Sequence, residues 1–211
     1  MALQTNGYVH LLSSQYNTYD NYRNYCLTHG INVDFSAGNQ CWDSLALLWY
    51  QYGRYLVTRP SGNGSAYMCW TISKNINAQP PFIAVEGVQN IKRGDILVFN
   101  KSSWSNHGHI CLADADYSQR VYERGAWRLP CVGQNQGQGI SSGTPSNIVK
   151  QNLSSFLGIF RNTKWTSSPT PTPTPTPEMG YNKDKYNFVL FNRRKRQDKW
   201  TKKPLKKKLK R

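Results

Sequence analysis

From Ser167 to Pro177 the chain reads Ser-Ser followed by proline at every second position. Each proline fixes φ and removes a backbone N–H, so no helix or central strand can run through this stretch. It reads instead as an extended, semi-rigid spacer. Whatever folds before it must be complete within 166 residues, which is enough to bury a sizeable core. We therefore expect three parts: a folded unit over 1–166, a Pro-Thr linker over 167–177 and a tail over 178–211. The chain's 7 Trp, 13 Tyr and 7 Phe supply large apolar area.

Charge separates the parts as sharply as proline does. The net formal charge is +16. Residues 178–211 carry 14 Lys/Arg against 3 Asp/Glu, while residues 1–177 carry 13 against 8. A tail this basic suits a polyanion: teichoic acid, an anionic membrane or, less favoured, nucleic acid. Leu205 and Leu209 stand four apart among lysines, with Pro204 placed for a first helical turn, as in a short membrane-surface helix. At about 34 residues the tail is too small and too charged for an independent core. No secretory signal is expected at the N-terminus, which lacks a basic segment followed by an apolar one. No run is long enough to cross a bilayer.

Apolar spacing places a helix over residues 8–29, ended by Gly30, and a second over 41–55. Residues 31–40 form an irregular loop between them, and 59–66 another. A short helix fits 66–76, and Pro80-Pro81 breaks the chain. Short β-like runs follow at 82–88, 95–100, 109–115, 120–122 and 155–161. Helices first and strands after predict an α+β domain with N-terminal helices packed on an antiparallel sheet. The five cysteines, at 26, 41, 69, 111 and 131, are odd in number and form no CxxC pair. That argues against a zinc site or a disulfide framework. Four of them read as buried and reduced.

Cys41 stands apart. It follows a loop and opens an apolar helix, where free N–H groups and the helix dipole favour a thiolate. His109 starts a predicted strand 68 residues later, preceded by Gly108, and an imidazole can take the thiol's proton. His107 is its rival, but only His109 directly follows the glycine. Asn135, in Gly133-Gln134-Asn135-Gln136-Gly137, is the candidate to orient the imidazole. Backbone N–H groups at the helix start could hold an oxyanion, with Gln40 or Gln134 adding a side-chain donor. A thiol on a helix start and an imidazole on a strand are the parts of a papain-like cysteine hydrolase.

The order Gln40-Cys41-Trp42-Asp43, then Gly94-Asp95-Ile96, then Gly108-His109, then Gln134-Asn135 resembles the CHAP family. These are the cysteine, histidine-dependent amidohydrolases/peptidases of bacteriophage lysins. The likeness spans roughly residues 15–162. It implies a papain-like fold and cleavage of peptidoglycan amide bonds, as N-acetylmuramoyl-L-alanine amidase or endopeptidase. It also implies that Cys41, His109 and the 133–135 segment are catalytic. Many members carry Glu two residues before this Asn, where this chain has Gly133, so Asn135 orients His109 alone or an acid such as Glu123 substitutes. Some members bind calcium just before the cysteine. Asn32, Asp34 and Asp43 match that site, though two carboxylates are few for an ion that takes six to eight oxygens. Trp42, Trp104 and Trp127 are candidates to line the groove.

The expectation is a phage-type peptidoglycan hydrolase, monomeric, with no required cofactor and with calcium as a candidate ion. It would be made in the infected cytoplasm and released through a holin as an endolysin, or carried on the virion as an entry lysin. A different class remains open: a nucleic-acid-binding or virion protein whose papain-like domain is inert.

Overall fold

The computed structural model describes residues 3–5, 8–36, 38–61, 64–103, 105–137 and 144–165. The linker, the basic tail and Trp104 lie outside the described residues.

The described residues form an α+β fold. A short hairpin, β1 (Leu3–Thr5) and β2 (Tyr8–His10), precedes helices α1 (Tyr19–Thr28) and α2 (Cys41–Gln51). Two single-turn helices follow, α3 (Met68–Thr71) and α4 (Lys74–Asn77). The sheet then takes over with β3 (Phe82–Val85), β4 (Ile96–Phe99), β5 (His109–Ala113), β6 (Val121–Glu123), β7 (Ala126–Gly133), β8 (Asn147–Asn152) and β9 (Phe156–Asn162). Its order is β3-β9-β4-β5-β7-β6, with β8 on the other edge of β7, and every pairing is antiparallel.

Two helix boundaries differ from the sequence reading, each for a local reason, and β7 and β8 are additions to it. The first helix starts at Tyr19, not residue 8, because the Thr18 hydroxyl accepts from Asn21 N–H at 3.2 Å and caps it there. Val9 belongs to the hairpin instead. The second helix stops at Gln51, since Gly53 turns to φ +67°. The largest omission is β7, which carries three neighbours yet contains Pro130. A proline in a sequence argues against an interior strand. Here the Pro130 carbonyl accepts from Asp114 N–H at 2.8 Å, on the side where β5 ends and β6 begins. Its missing N–H faces that junction, so no ladder bond is lost.

The core has two layers, one on each face of the sheet. On one face the helices bury Leu45, Leu48 and Trp49 against Ile110, Leu112 and Phe160. The Trp49 ring stacks on Phe82 at 3.7 Å and meets Phe160 edge-on. A buried Trp is worth about 3–5 kcal/mol against Ala, so this stack fixes α2 on the sheet. Asp114 holds α1 down by accepting from Tyr19 Oη at 2.8 Å and from Arg23 Nε and Nη2, both at 2.7 Å. Asp95, of the Gly-Asp-Ile turn, accepts from Arg161 Nε at 2.7 Å and Nη2 at 2.8 Å, locking the start of β4 to β9. The opposite face buries Leu97, Cys111, Leu129, Cys131 and Ile159. Among the described residues no helix is long and apolar enough to cross a membrane.

Candidate active site

The 31–40 loop reaches α2 through two buried side chains. Asp43 Oδ2 accepts from Gln40 N–H at 2.7 Å and its Oδ1 from Val33 N–H at 3.0 Å. Gln134, wholly buried, does the same from the sheet. Its Nε2 donates to Ile31 O at 2.8 Å and Gln40 O at 3.0 Å, while its Oε1 accepts from Ile31 N–H at 2.7 Å. The residue before the cysteine is thus held from two directions. Burial raises the Asp43 carboxyl to about 6, with the neighbouring Asp34 charge pushing the same way and the two amides opposing it.

Cys41 is the first residue of α2. It keeps part of its surface open, whereas Cys26, Cys69, Cys111 and Cys131 are buried, and all five are free thiols. Desolvation pushes the Cys41 thiol up to about 11. The amides of Ile110, Cys41 and Trp42 point hydrogen at the sulfur and hold it lower than burial alone would. The contact with Ile110 places the thiol against the first turn of β5, next to His109. Burial raises the thiol of Cys26 to about 12.

His109 opens β5 immediately after Gly108, which has φ +67°. A Cβ on Gly108 would strike the Phe99 carbonyl and the Tyr67 side chain, so glycine is what lets the strand begin there. The His109 ring is desolvated, which lowers its affinity for a proton. Its Nε2 meets Gln136 Oε1 at 2.9 Å.

The protonation of that pair follows from Gln136 itself. Gln136 Nε2 donates to two backbone carbonyls, Cys131 O at 3.0 Å and Asn147 O at 2.8 Å. Carbonyls only accept, so the NH2 end cannot be turned around. Gln136 Oε1 also accepts from Gln151 Nε2 at 2.8 Å. The oxygen therefore faces His109, whose Nε2 must carry the hydrogen. Nδ1 is left as the basic nitrogen.

The sequence reading assigned the orienting role to Asn135, and the structure brings Gln136 to the ring instead. Asn135 has φ +50°, a left-handed turn that sends consecutive side chains to different clients. Its Nδ2 donates to Gln40 Oε1 at 2.9 Å. Gly133 explains the substitution. A Cβ there would stand 2.8 Å from Gln136 Oε1, so the side chain absent at 133 leaves the space that Gln136 fills. The sequence signal was a glycine at an expected acid, followed by a second glutamine.

The remaining candidates divide. Gln134 spends both donors on Ile31 and Gln40, so it serves as a clamp, not an oxyanion donor. Gln40, at the helix cap, stays beside the thiol. Glu123 pairs with Lys150 at 3.0 Å on the β6–β8 side and is not brought to His109. His107 meets Ser65 Oγ at 3.0 Å. Trp42 is half-buried, its Nε1 donating to Leu56 O at 3.2 Å. Trp127 is not in this groove: it lies near the far end of β7, six residues or about 20 Å from Gly133. At the calcium candidates, Asp34 Oδ1 accepts from Ser36 N–H at 2.8 Å, and Asn32 Oδ1 is buried with no partner among the described residues.

No family model matches the sequence, and no curated protein does. Among solved structures, the chain is similar to the crystal structure of a wild-type endolysin, LysIME-EF1. The identity is 19% and the TM-score 0.46, over 71% of this chain and 66% of that one. It is also similar to the crystal structure of Ly7917, with 18% identity and a TM-score of 0.45, over 70% of this chain and 62% of that one. The chain thus spans less than two thirds of the length of either protein.

A thiol held near 11 is almost wholly protonated at neutral pH. The rate of Cys41 alkylation by iodoacetamide should therefore climb steadily with pH up to about 11, without the plateau above 8.5 that an ordinary cysteine gives. Peptide mass spectrometry at each pH reads this directly. A plateau already reached below pH 8 would mean a preformed thiolate and would contradict the desolvated site.

Proposed function

We propose that the chain is a cysteine-dependent hydrolase of peptidoglycan amide bonds. One observation carries the reading: a thiol on the half-buried first residue of a helix, against the strand start that holds a tautomer-fixed imidazole. The order of motifs resembling CHAP enzymes supplies the substrate class.

In this reading the resting pair is neutral. Cys41 loses its proton to His109 Nδ1 as sulfur attacks the scissile carbonyl carbon. The oxyanion falls to the Cys41 N–H and to the amide of Gln40, whose Oε1 end is fixed by Asn135. Collapse breaks the C–N bond, and the Nδ1 proton leaves with the amine. Water then attacks the thioester, giving its proton to His109, and release of the acid restores the thiol. Gln136 keeps Nε2–H engaged throughout, so the basic nitrogen stays on the cysteine side.

The finer assignment is an endolysin, with amidase and endopeptidase sharing these residues and the groove choosing between them. The basic tail would add teichoic acid or anionic membrane contact. A virion-associated lysin uses the same chemistry at entry. The competing class is a nucleic-acid-binding protein with an inert domain.

Calcium, when bound, would be held by Asn32 Oδ1, Asp34 and Asp43. It would neutralise two carboxylates and satisfy the buried Asn32 oxygen. Its role would be to brace the loop before Cys41.

The decisive experiment is turbidity loss of purified Gram-positive walls. Wild type should clear them and Cys41→Ala should not, with mass spectrometry of the products naming the bond. Clearing by both would remove Cys41 as nucleophile, and clearing by neither across several wall types would favour the binding class. Gln136→Ala should lower kcat about 100-fold, the scale of a general base that loses its tautomer. Asn135→Ala should act more weakly, through Gln40. Equal losses, or the reverse order, would return the orienting role to Asn135. Calcium should raise the melting temperature, and Asp34→Ala should abolish that rise, as read by thermal scanning with and without chelator. No calcium-dependent shift in wild type would dismiss the site.

A further inference from the structure

A second concave site lies at the N-terminal end of β7, away from the amide segment that follows its C-terminal end. The β6–β7 hairpin closes through Arg124 and Gly125, with φ +51° and +75°, a two-residue turn that matches the strand twist. Tyr122 and Trp127 stand directly opposite each other across it, their rings edge to face at 5.3 Å. Both lie on the face that buries Leu129 and Cys131 further along, yet Tyr122 is 63% and Trp127 47% exposed. With Val88, Tyr117 and Leu153 they line a hollow of about 310 Å³, and Asn152 and Ser154 supply polar groups to its wall. That volume falls at the small end of ligand pockets, about 300–1,000 Å³.

The hollow is preorganised. The Arg120 guanidinium lies 4.0 Å from the centre of the Tyr117 ring and 4.3 Å from that of Trp127, clamping both. Arg120 Nη1 donates to Tyr117 O at 3.1 Å, and its Nε is buried without a partner among the described residues. Tyr122 and Trp127 sit on strands, which hold a site more rigidly than loops do.

We propose that this hollow binds a sugar ring of the bacterial wall. Resting on the hydrolase reading, it would hold the polymer on the sheet face opposite the helix that carries Cys41. Flat aromatic faces stack against the C–H face of a pyranose, while amide and hydroxyl groups at the rim meet its hydroxyl and acetamido groups. A lone apolar side chain would need no polar rim. A nucleic acid would need free cations at phosphate spacing, and most of those nearby are used internally. Arg120 is held by the rings, Arg128 donates to Glu123 O and Lys150 O, and Lys150 pairs with Glu123. The ligand chemistry is therefore a saccharide with little charge. Both the glycan strand and the neutral sugar substituents of a wall glycopolymer offer it.

The test uses the full chain carrying Cys41→Ala, so that walls are not consumed. Trp127→Ala, Trp127→Phe and Tyr122→Ala are added singly, with far-UV circular dichroism to verify folding. The probes are an N-acetylglucosamine tetramer followed by calorimetry, and walls with or without hydrofluoric-acid removal of glycopolymer followed by co-sedimentation. The basic tail is common to every variant and cancels in the comparison. Expected is at least a tenfold weaker affinity in Trp127→Ala and Tyr122→Ala, with Trp127→Phe close to the parent. Loss for the tetramer and stripped walls identifies the glycan strand, and loss for unstripped walls alone identifies the glycopolymer. Either supports a saccharide site. Unchanged binding in every folded variant overturns the proposal. Saccharide binding without wall clearing by wild type would sink the hydrolase reading and leave this site standing, and clearing without such binding would do the opposite.

Discussion

The carboxamide of Gln136 can be seated in only one way. Two backbone carbonyls claim its NH2, so its oxygen must face the imidazole, and the imidazole must present hydrogen at Nε2. The rest of the candidate site depends on that constraint. A ring free to flip would offer either nitrogen to the thiol. Gln151 reinforces the arrangement by donating to the same oxygen, so the amide is satisfied on every side in a buried setting. The cost of this tight seat is carried at Gly133, which cannot bear a side chain without displacing it.

Three consecutive amides, Gln134, Asn135 and Gln136, thereby divide three tasks. Gln134 ties the 31–40 loop to the helix cap, Asn135 fixes the Gln40 side chain, and Gln136 fixes His109. The left-handed turn at Asn135 makes the division possible, since an extended strand would send alternate side chains to the same face. No carboxylate reaches the imidazole through these contacts. A neutral orienting group gives an imidazolium less support than an anion would. That agrees with a ring whose proton affinity is lowered and a thiol held near 11. In the proposed reading the nucleophile is made during attack, not stored beforehand.

Strand β7 acts as the ruler of the domain. Its C-terminal end feeds the amide segment, and its N-terminal end carries the aromatic hollow clamped by Arg120.

Much of the fold was legible in the sequence. Apolar spacing after Cys41 marked α2, and the alternation after His109 marked β5. These signals are local: side-chain periodicity and a free helix end. The motif order singled out Cys41 and His109 for the same reason. What the sequence left open depended on contacts between distant residues. Pro130 hid β7, because only the strand junction reveals that no hydrogen bond is lost there. Asn135 is the sequence candidate to orient His109, because spacing alone cannot report the left-handed φ that brings Gln136 to the ring. Trp127 is a groove candidate by sequence, and strand register sends it to the far end of β7. Sequence by itself determined which residue types stood ready for chemistry. The tertiary structure decided which of them meet, because hydrogen-bond partners and backbone handedness are properties of the folded chain.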